Sequence, residues 1–181
     1  MFHGLIAEVM LQRTKAEQVD PVYRVFIKRY PNLNAIDEGN EELRSMLQPL
    51  GLNWRINMIV DLTRELYQLG YVPTEYEDLI KLPGVGDYVA SAFISFHLGR
   101  RRPIIDSNFV RVFGRILGIK TDNSTRRKKW FRDFMEEITP DQELKAFNYA
   151  VLDFAKSICR PKPLCYECII NSYCGYYKKS L

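Results

Sequence analysis

Residues Thr74–Gly99 read TEYEDLIKLPGVGDYVASAFISFHLG, and this stretch decides how the rest of the chain is read. Thr74 and Glu77 have capping-box spacing ahead of a short helix through Leu79 and Ile80. Leu82-Pro83-Gly84-Val85-Gly86 then makes a tight turn, because two glycines permit backbone conformations closed to other residues. A longer apolar stripe follows at Val89, Ala92, Phe93 and Phe96, and Gly99 stops it. Backbone N–H groups at the start of that second helix form an anion site of the kind that suits a DNA phosphate. Alone, such a turn is more often a plain helix connector, so its weight comes from what surrounds it.

On both sides the periodicity stays helical. Leu5, Ile6, Val9 and Met10 make one stripe, and Val22, Tyr23, Phe26, Ile27 and Tyr30 the next, with Asp20 as expected cap and Pro21 as first helical residue. Leu43, Met46, Leu47 and Leu50 follow, then Ile56, Ile59, Val60, Leu66 and Tyr67 with Gly70 as the stop. Later stripes run through Phe109, Phe113, Ile116 and Leu117 to Gly118, then Trp130, Phe131 and Phe134, then Leu144, Phe147, Val151, Phe154 and Ile158. No segment alternates with period two, so the expected fold is all-α, with about eight or nine short helices. No repeat, low-complexity tract or linker interrupts it. The expected organisation is one compact structural unit: a helical domain over 1–158, with its two-helix turn at about 75–98, and a small irregular lobe over 159–181 where Pro and Cys crowd.

With 181 residues and 46% hydrophobic content the chain can bury a real core as a single domain. No apolar run approaches the roughly 20 residues of a membrane span, and no signal-peptide pattern opens the sequence. A membrane partner is therefore excluded by composition, and a cytoplasmic, nucleoid-associated location is expected. The formal net charge of +4 resides in residues 155–181, where Lys156, Arg160, Lys162, Lys178 and Lys179 face Glu167 alone. A second basic stretch, residues 100–132, holds eleven Lys or Arg against only Asp106 and Asp122. Such patches suit a polyanion, or equally a solvated lysine-rich surface.

Three features carry chemistry. Cys159, Cys165, Cys168 and Cys174 are the four cysteines of the chain, in the pattern C-x5-C-x2-C-x5-C. Four thiolates this close can hold a [4Fe–4S] cluster or a tetrahedral zinc, and the single close pair favours the cluster. The stiff, basic Arg160-Pro161-Lys162-Pro163-Leu164 between the first two would then become a metal-fixed phosphate-binding loop. Asp106 follows Ile104-Ile105 and precedes Ser107-Asn108 and a helix, which reads as an N-cap or as a preorganised carboxylate facing a cleft. Glu8 lies within Ala7-Glu8-Val9-Met10-Leu11, where a carboxylate needs either a function or an exposed helix face.

The run from Gly84 through Asp106, the Ala7–Thr14 segment and the four cysteines together resemble the endonuclease III family of helix-hairpin-helix DNA glycosylases, over nearly the whole chain. The resemblance implies a helix-hairpin-helix glycosylase fold with a small C-terminal [4Fe–4S] lobe. It makes Asp106 the essential carboxylate and Leu82, Gly84, Val85 and Gly86 the phosphate-binding hairpin. Gln12 and Leu52 match residues that plug the gap left by a flipped base, and Asn108, Arg160 and Lys162 join them as DNA contacts. The bifunctional branch carries a lysine two residues after the hairpin's last glycine; Tyr88 stands there instead and cannot form a Schiff base, so hydrolysis without lyase chemistry is implied. Glu8 matches a glutamate shared by adenine and G/T-mismatch thymine glycosylases, and Asp106-Ser107-Asn108 resembles both.

The branches divide on smaller points. Glu8-Val9-Met10-Leu11-Gln12 looks more like the adenine enzymes. Gly51-Leu52-Asn53-Trp54 lacks their paired tyrosines, and the sequence ends just after the cysteines, without their further C-terminal domain. The balance favours thymine or uracil opposite guanine, with adenine opposite guanine or 8-oxoguanine as the alternative. Two departures from the family pattern are a first cysteine gap of five residues instead of six and no upstream segment packed on the cluster lobe. A non-catalytic DNA-binding module is the rival from another class, opposed by Asp106 and Glu8 together. The expected partner is double-stranded DNA with a mismatched or damaged base, bound by a monomer.

Overall fold

The computed structural model describes residues 1–36 and 41–180, which include every residue singled out above. Among them lie ten α-helical segments and no strand. They are α1 (Phe2–Met10), α2 (Ala16–Arg29), α3 (Glu41–Leu47), α4 (Asn53–Leu69), α5 (Tyr76–Leu79), α6 (Asp87–Ala92), α7 (Ser107–Ile116), α8 (Lys129–Ile138), α9 (Leu144–Ser157) and α10 (Gly175–Ser180). None is long and apolar enough to cross a membrane.

The described chain forms two compact units, Met1–Leu98 and Gly99–Leu181. In the first, α1 is the central element. Leu5, Ile6, Val9 and Met10 have no exposed surface, and α1 packs on α2, α4 and α6. Burial of each such side chain contributes roughly 1.5–3 kcal/mol, which is why this apolar helix sits inside. Glu8 is carried inside with its neighbours and is 7% exposed, so the exposed-face reading is excluded.

Two local expectations are corrected. The helix expected to begin at Pro21 starts at Ala16, and Pro21 lies within it. Val19 is buried on the same stripe as Val22 and Phe26, and its packing holds a turn that proline alone would not begin. The capping box at Thr74 and Glu77 does not form: α5 starts after Glu75 without a side-chain cap. The stripe toward Gly99 is also not one regular helix. After Ala92 it widens into a π-helical turn, Phe93–His97, closed by Leu98 N–H donating to the Phe93 carbonyl at 3.2 Å.

In the second unit α7 packs on α9 and α10, with Val112, Ala155 and Cys159 buried between α7 and α9. Residues 159–174 are held from α7: Arg115 donates to the carbonyls of Cys159, Arg160 and Pro161 at 3.2, 2.7 and 2.9 Å. By compactness the described chain divides between Leu98 and Gly99. The cysteine lobe shares its packing with α7 and α9, a long-range pairing that the local rise in Pro and Cys does not report.

Candidate functional site

In the first unit, the loop after α1, the loop before α4 and the glycine turn are tied to one another. Gln12 Nε2 donates to the Gly84 carbonyl at 2.7 Å. Gly84 has φ +74°, and a Cβ there would come within 3.2 Å of Met58 Cβ, so glycine is required both by conformation and by space. Leu52 is 45% exposed at φ +56°, and Arg13 shares that left-handed geometry. A non-glycine residue held this way costs on the order of 1–3 kcal/mol, and such strain collects at functional loops.

Arg55, which the sequence reading missed, fastens both loops. Its side chain is wholly buried and donates to the Gln12 carbonyl at 2.6 Å, to Thr14 Oγ1 and to the Leu50 carbonyl. Burial pushes its pKa below the ordinary arginine value, and Nε has no hydrogen-bond partner among the described residues. A buried cation fixed by carbonyl groups is a costly support for two short loops. Its only signal in the sequence was a charged residue on an otherwise apolar helical stripe.

The hairpin residues divide by role. Leu82 and Val85 are buried, and their amides donate to Leu79 and Leu82 carbonyls at 3.1 Å each. Their side chains belong to the core. Gly84 and Gly86 carry the amides without an acceptor among the described residues. Tyr88, on the first turn of α6, is half-buried against the first unit's core. Glu8 Oε1 accepts from His97 Nε2 at 3.0 Å, while Oε2 has no partner among the described residues.

In the second unit Asp106 is the N-cap of α7. Its Oδ1 accepts from the amides of Asn108 and Phe109 at 2.8 and 2.9 Å, and its Oδ2 from Asn108 Nδ2 at 2.7 Å. The capping geometry expected of a plain N-cap is thus present, and the side chain is still half-exposed. The Asn108 side-chain amide joins Asp106 to Arg111, whose Nη2 donates to Asn108 Oδ1 at 2.9 Å and to the Ala155 carbonyl at 3.0 Å. Arg111 Nε also donates to the Cys159 carbonyl at 2.9 Å. A continuous chain of hydrogen bonds therefore links Asp106 to the first cysteine.

All four cysteines are free thiols lining one apolar-walled cavity with Leu164 and Ile170. The Cys165 thiol is pushed up by burial and then by the nearby Cys174, Cys159 and Cys168, partly opposed by Arg115. Among the described residues no three His, Cys, Asp or Glu side chains are grouped as ligands of one metal ion. Arg160 and Lys162 are exposed on the loop between the first two cysteines. A groove of about 840 Å³ runs along α7 from Ser107 to Gly118 and gathers Arg111, Arg115, Lys120, Arg126 and Lys179.

The all-helical architecture and the glycine hairpin define a helix-hairpin-helix protein. The chain matches the description HhH-GPD superfamily base excision DNA repair protein over residues 6–140, and it belongs to that superfamily. It is 38% identical to thymine-DNA glycosylase of Aeropyrum pernix, over 96% of this chain and 81% of that protein. It is also 38% identical to thymine/uracil-DNA glycosylase of Pyrobaculum aerophilum, over 97% and 80%. A solved structure of a thermostable thymine-DNA glycosylase matches with a TM-score of 0.89 at 30% identity, covering 98% of this chain and 84% of that one. Adenine DNA glycosylases of Buchnera aphidicola are relatives at 33% and 34% identity, and the chain spans about half of their length.

Proposed function

We propose that the protein is a monofunctional DNA glycosylase of base excision repair that hydrolyses the N-glycosidic bond of thymine or uracil opposite guanine. The observation that carries this reading is the 38% identity to thymine and thymine/uracil glycosylases over four-fifths of their length. The base must first leave the stack, at a cost of a few kcal/mol that is least for a mismatched pair. Amides of Gly84 and Gly86 and the cations of Arg160 and Lys162 hold the backbone of the duplex. Gln12 and Leu52, fixed by Gly84 and Arg55, fill the vacancy. As the C1′–N bond breaks, the sugar gains oxocarbenium character, and the Asp106 carboxylate stabilises that charge and takes a proton from the attacking water. Glu8 Oε2 holds a water or gives a proton to the departing base, and of the two the proton-donor role is the one proposed. Tyr88 shapes the base pocket, and as a phenol it supplies no amine for a covalent sugar adduct.

The four cysteines suit a [4Fe–4S] cluster. They line one apolar-walled cavity, and their spacing holds a single close C-x2-C pair where a structural zinc usually takes two. When bound, the cluster supplies a rigid, structural anchor for the Arg160–Lys162 loop. The chain's own part is to orient that loop through Arg115 and to connect Cys159 with Asp106 through Arg111 and Asn108.

The test is a panel of labelled duplexes carrying G/T, G/U, A/G and A/8-oxoguanine pairs under single-turnover conditions. Release of thymine and uracil, with strand breaks only after alkali, is the expected result. Release of adenine alone moves the protein to the adenine branch, and tight binding without release of any base makes it a non-catalytic DNA-binding module.

A further inference from the structure

We infer that His97 is a positioning residue for Glu8, fixing one carboxyl oxygen so that the other is aimed at the substrate. The inference rests on the proton-donor role proposed for Glu8. His97 Nε2 stands 3.0 Å from Glu8 Oε1 across 89 residues of sequence. The carboxyl side chain is 9% exposed and so largely shielded from water, while the imidazole, 31% exposed, stays partly open to solvent. A shielded carboxyl needs a hydrogen-bond partner, and this ring is the one the described residues provide.

Two further features place the ring there. The π-helical turn Phe93–His97 shifts the end of the α6 stretch out of regular register, and the imidazole stacks on Phe93 with centroids 5.7 Å apart and planes at 27°. Insertions of this kind inside helices occur frequently at functional sites. On the facing helix Gly4 lies one turn before Glu8, and a Cβ built on it would stand 2.4 Å from His97 Nδ1. Glycine in a helix interior is destabilising relative to alanine, so the missing methyl is explained by the ring that occupies its space. Gly4, Glu8 and His97 thus form one fitted unit: a slot, a carboxyl and the ring that holds it.

The consequence is rotameric. A glutamate with one oxygen held cannot turn freely, and a proton on Oε2 then points in a constant direction. Without the ring, the carboxyl loses its held rotamer and proton delivery becomes infrequent, although the pocket and the DNA-contacting loops remain. The loss should fall on the chemical step and leave binding unchanged.

The test has one arm that needs no turnover. The chain has two histidines, so the ¹⁵N imidazole spectrum is simple, and His3, bonded to the Tyr30 carbonyl, serves as internal control. Glu8→Gln should move the His97 Nε2 resonance and leave that of His3 in place. An unmoved His97 resonance overturns the pairing. The second arm measures single-turnover excision and affinity on a G/U duplex. His97→Leu should slow excision by about tenfold or more while DNA affinity changes little, since a general acid contributes roughly 10²–10⁴-fold; the melting temperature should fall, because the shielded Oε1 loses its partner. His97→Gln, which keeps an N–H donor near the same place, should recover most of the rate. Gly4→Ala should mimic His97→Leu by displacing the ring. Equal losses in the Gln and Leu variants, or full activity in His97→Leu, overturn the inference. Full activity in Glu8→Gln removes the proton-donor role itself, and is recognised separately because the ¹⁵N arm still reports the pair.

Discussion

The Asp106 carboxylate caps α7 and is proposed to act on the sugar, and its two oxygens have different partners. Oδ1 serves the helix, accepting two amides at the start of α7, while Oδ2 accepts from Asn108 Nδ2. Asp106→Asn keeps an acceptor for the cap but turns its amide nitrogen toward Asn108 Nδ2, setting donor against donor. Asn108 must then reorient, and Arg111 with it. We expect a stability loss of about 1 kcal/mol, near that of a lost cap, with DNA affinity kept and single-turnover excision abolished. Near-normal excision would return Asp106 to a simple N-cap. At Tyr88 the expectation concerns covalent chemistry. The unmodified protein should leave an intact abasic site and give no borohydride-trapped complex, whereas Tyr88→Lys should gain some trapping if the side chain faces the sugar. Efficient trapping by the unmodified protein would identify another lysine as nucleophile and end the monofunctional reading. These expectations were legible in the sequence, because a cap and a residue two places after a glycine turn are local facts.

Among the elements, the loops at 11–14 and 50–52 matter most, since each carries one residue proposed to enter the base vacancy. Neither loop is stable by its own turn chemistry: Arg13 and Leu52 are both left-handed without being glycine. Arg55, from the first turn of α4, supplies what they lack, with bonds to Gln12, Thr14 and Leu50. Arg55→Met removes these donors and leaves buried carbonyls unpaired, so we expect a loss of about 2–4 kcal/mol in denaturant unfolding, together with weaker binding to mismatched duplex. Arg55→Lys should rescue little, because an ammonium group lacks the planar fork that spans separate acceptors. Unchanged stability in Arg55→Met would mean the loops hold themselves. Helical periodicity located α1 and α4 but passed over this support, since an arginine on a buried stripe carries no mark of its partners.

For the whole molecule, the cysteine lobe gives the most direct measurement. Protein purified without oxygen should be brown and contain about four irons per chain. Stoichiometric zinc would overturn the cluster. Cys165→Ser should lower iron content and weaken DNA binding, and the Arg111–Asn108 connection adds that excision at saturating enzyme should fall as well, because Cys159 and Asp106 share one hydrogen-bonded chain. What the sequence alone determined was set by near neighbours: the helical period, the 82–86 turn, the cap at Asp106, the helix stop at Gly70 and the four cysteines with their spacing. What only the tertiary structure decided depended on residues far apart in the chain. It placed Glu8 inside and gave it His97, buried Arg55 among carbonyls, carried a helix through Pro21, and joined residues 159–174 to α7. Local spacing fixes backbone conformation, since steric and capping effects act within a turn or two. Burial and pairing are fixed by which surfaces meet, and no short window of sequence contains both.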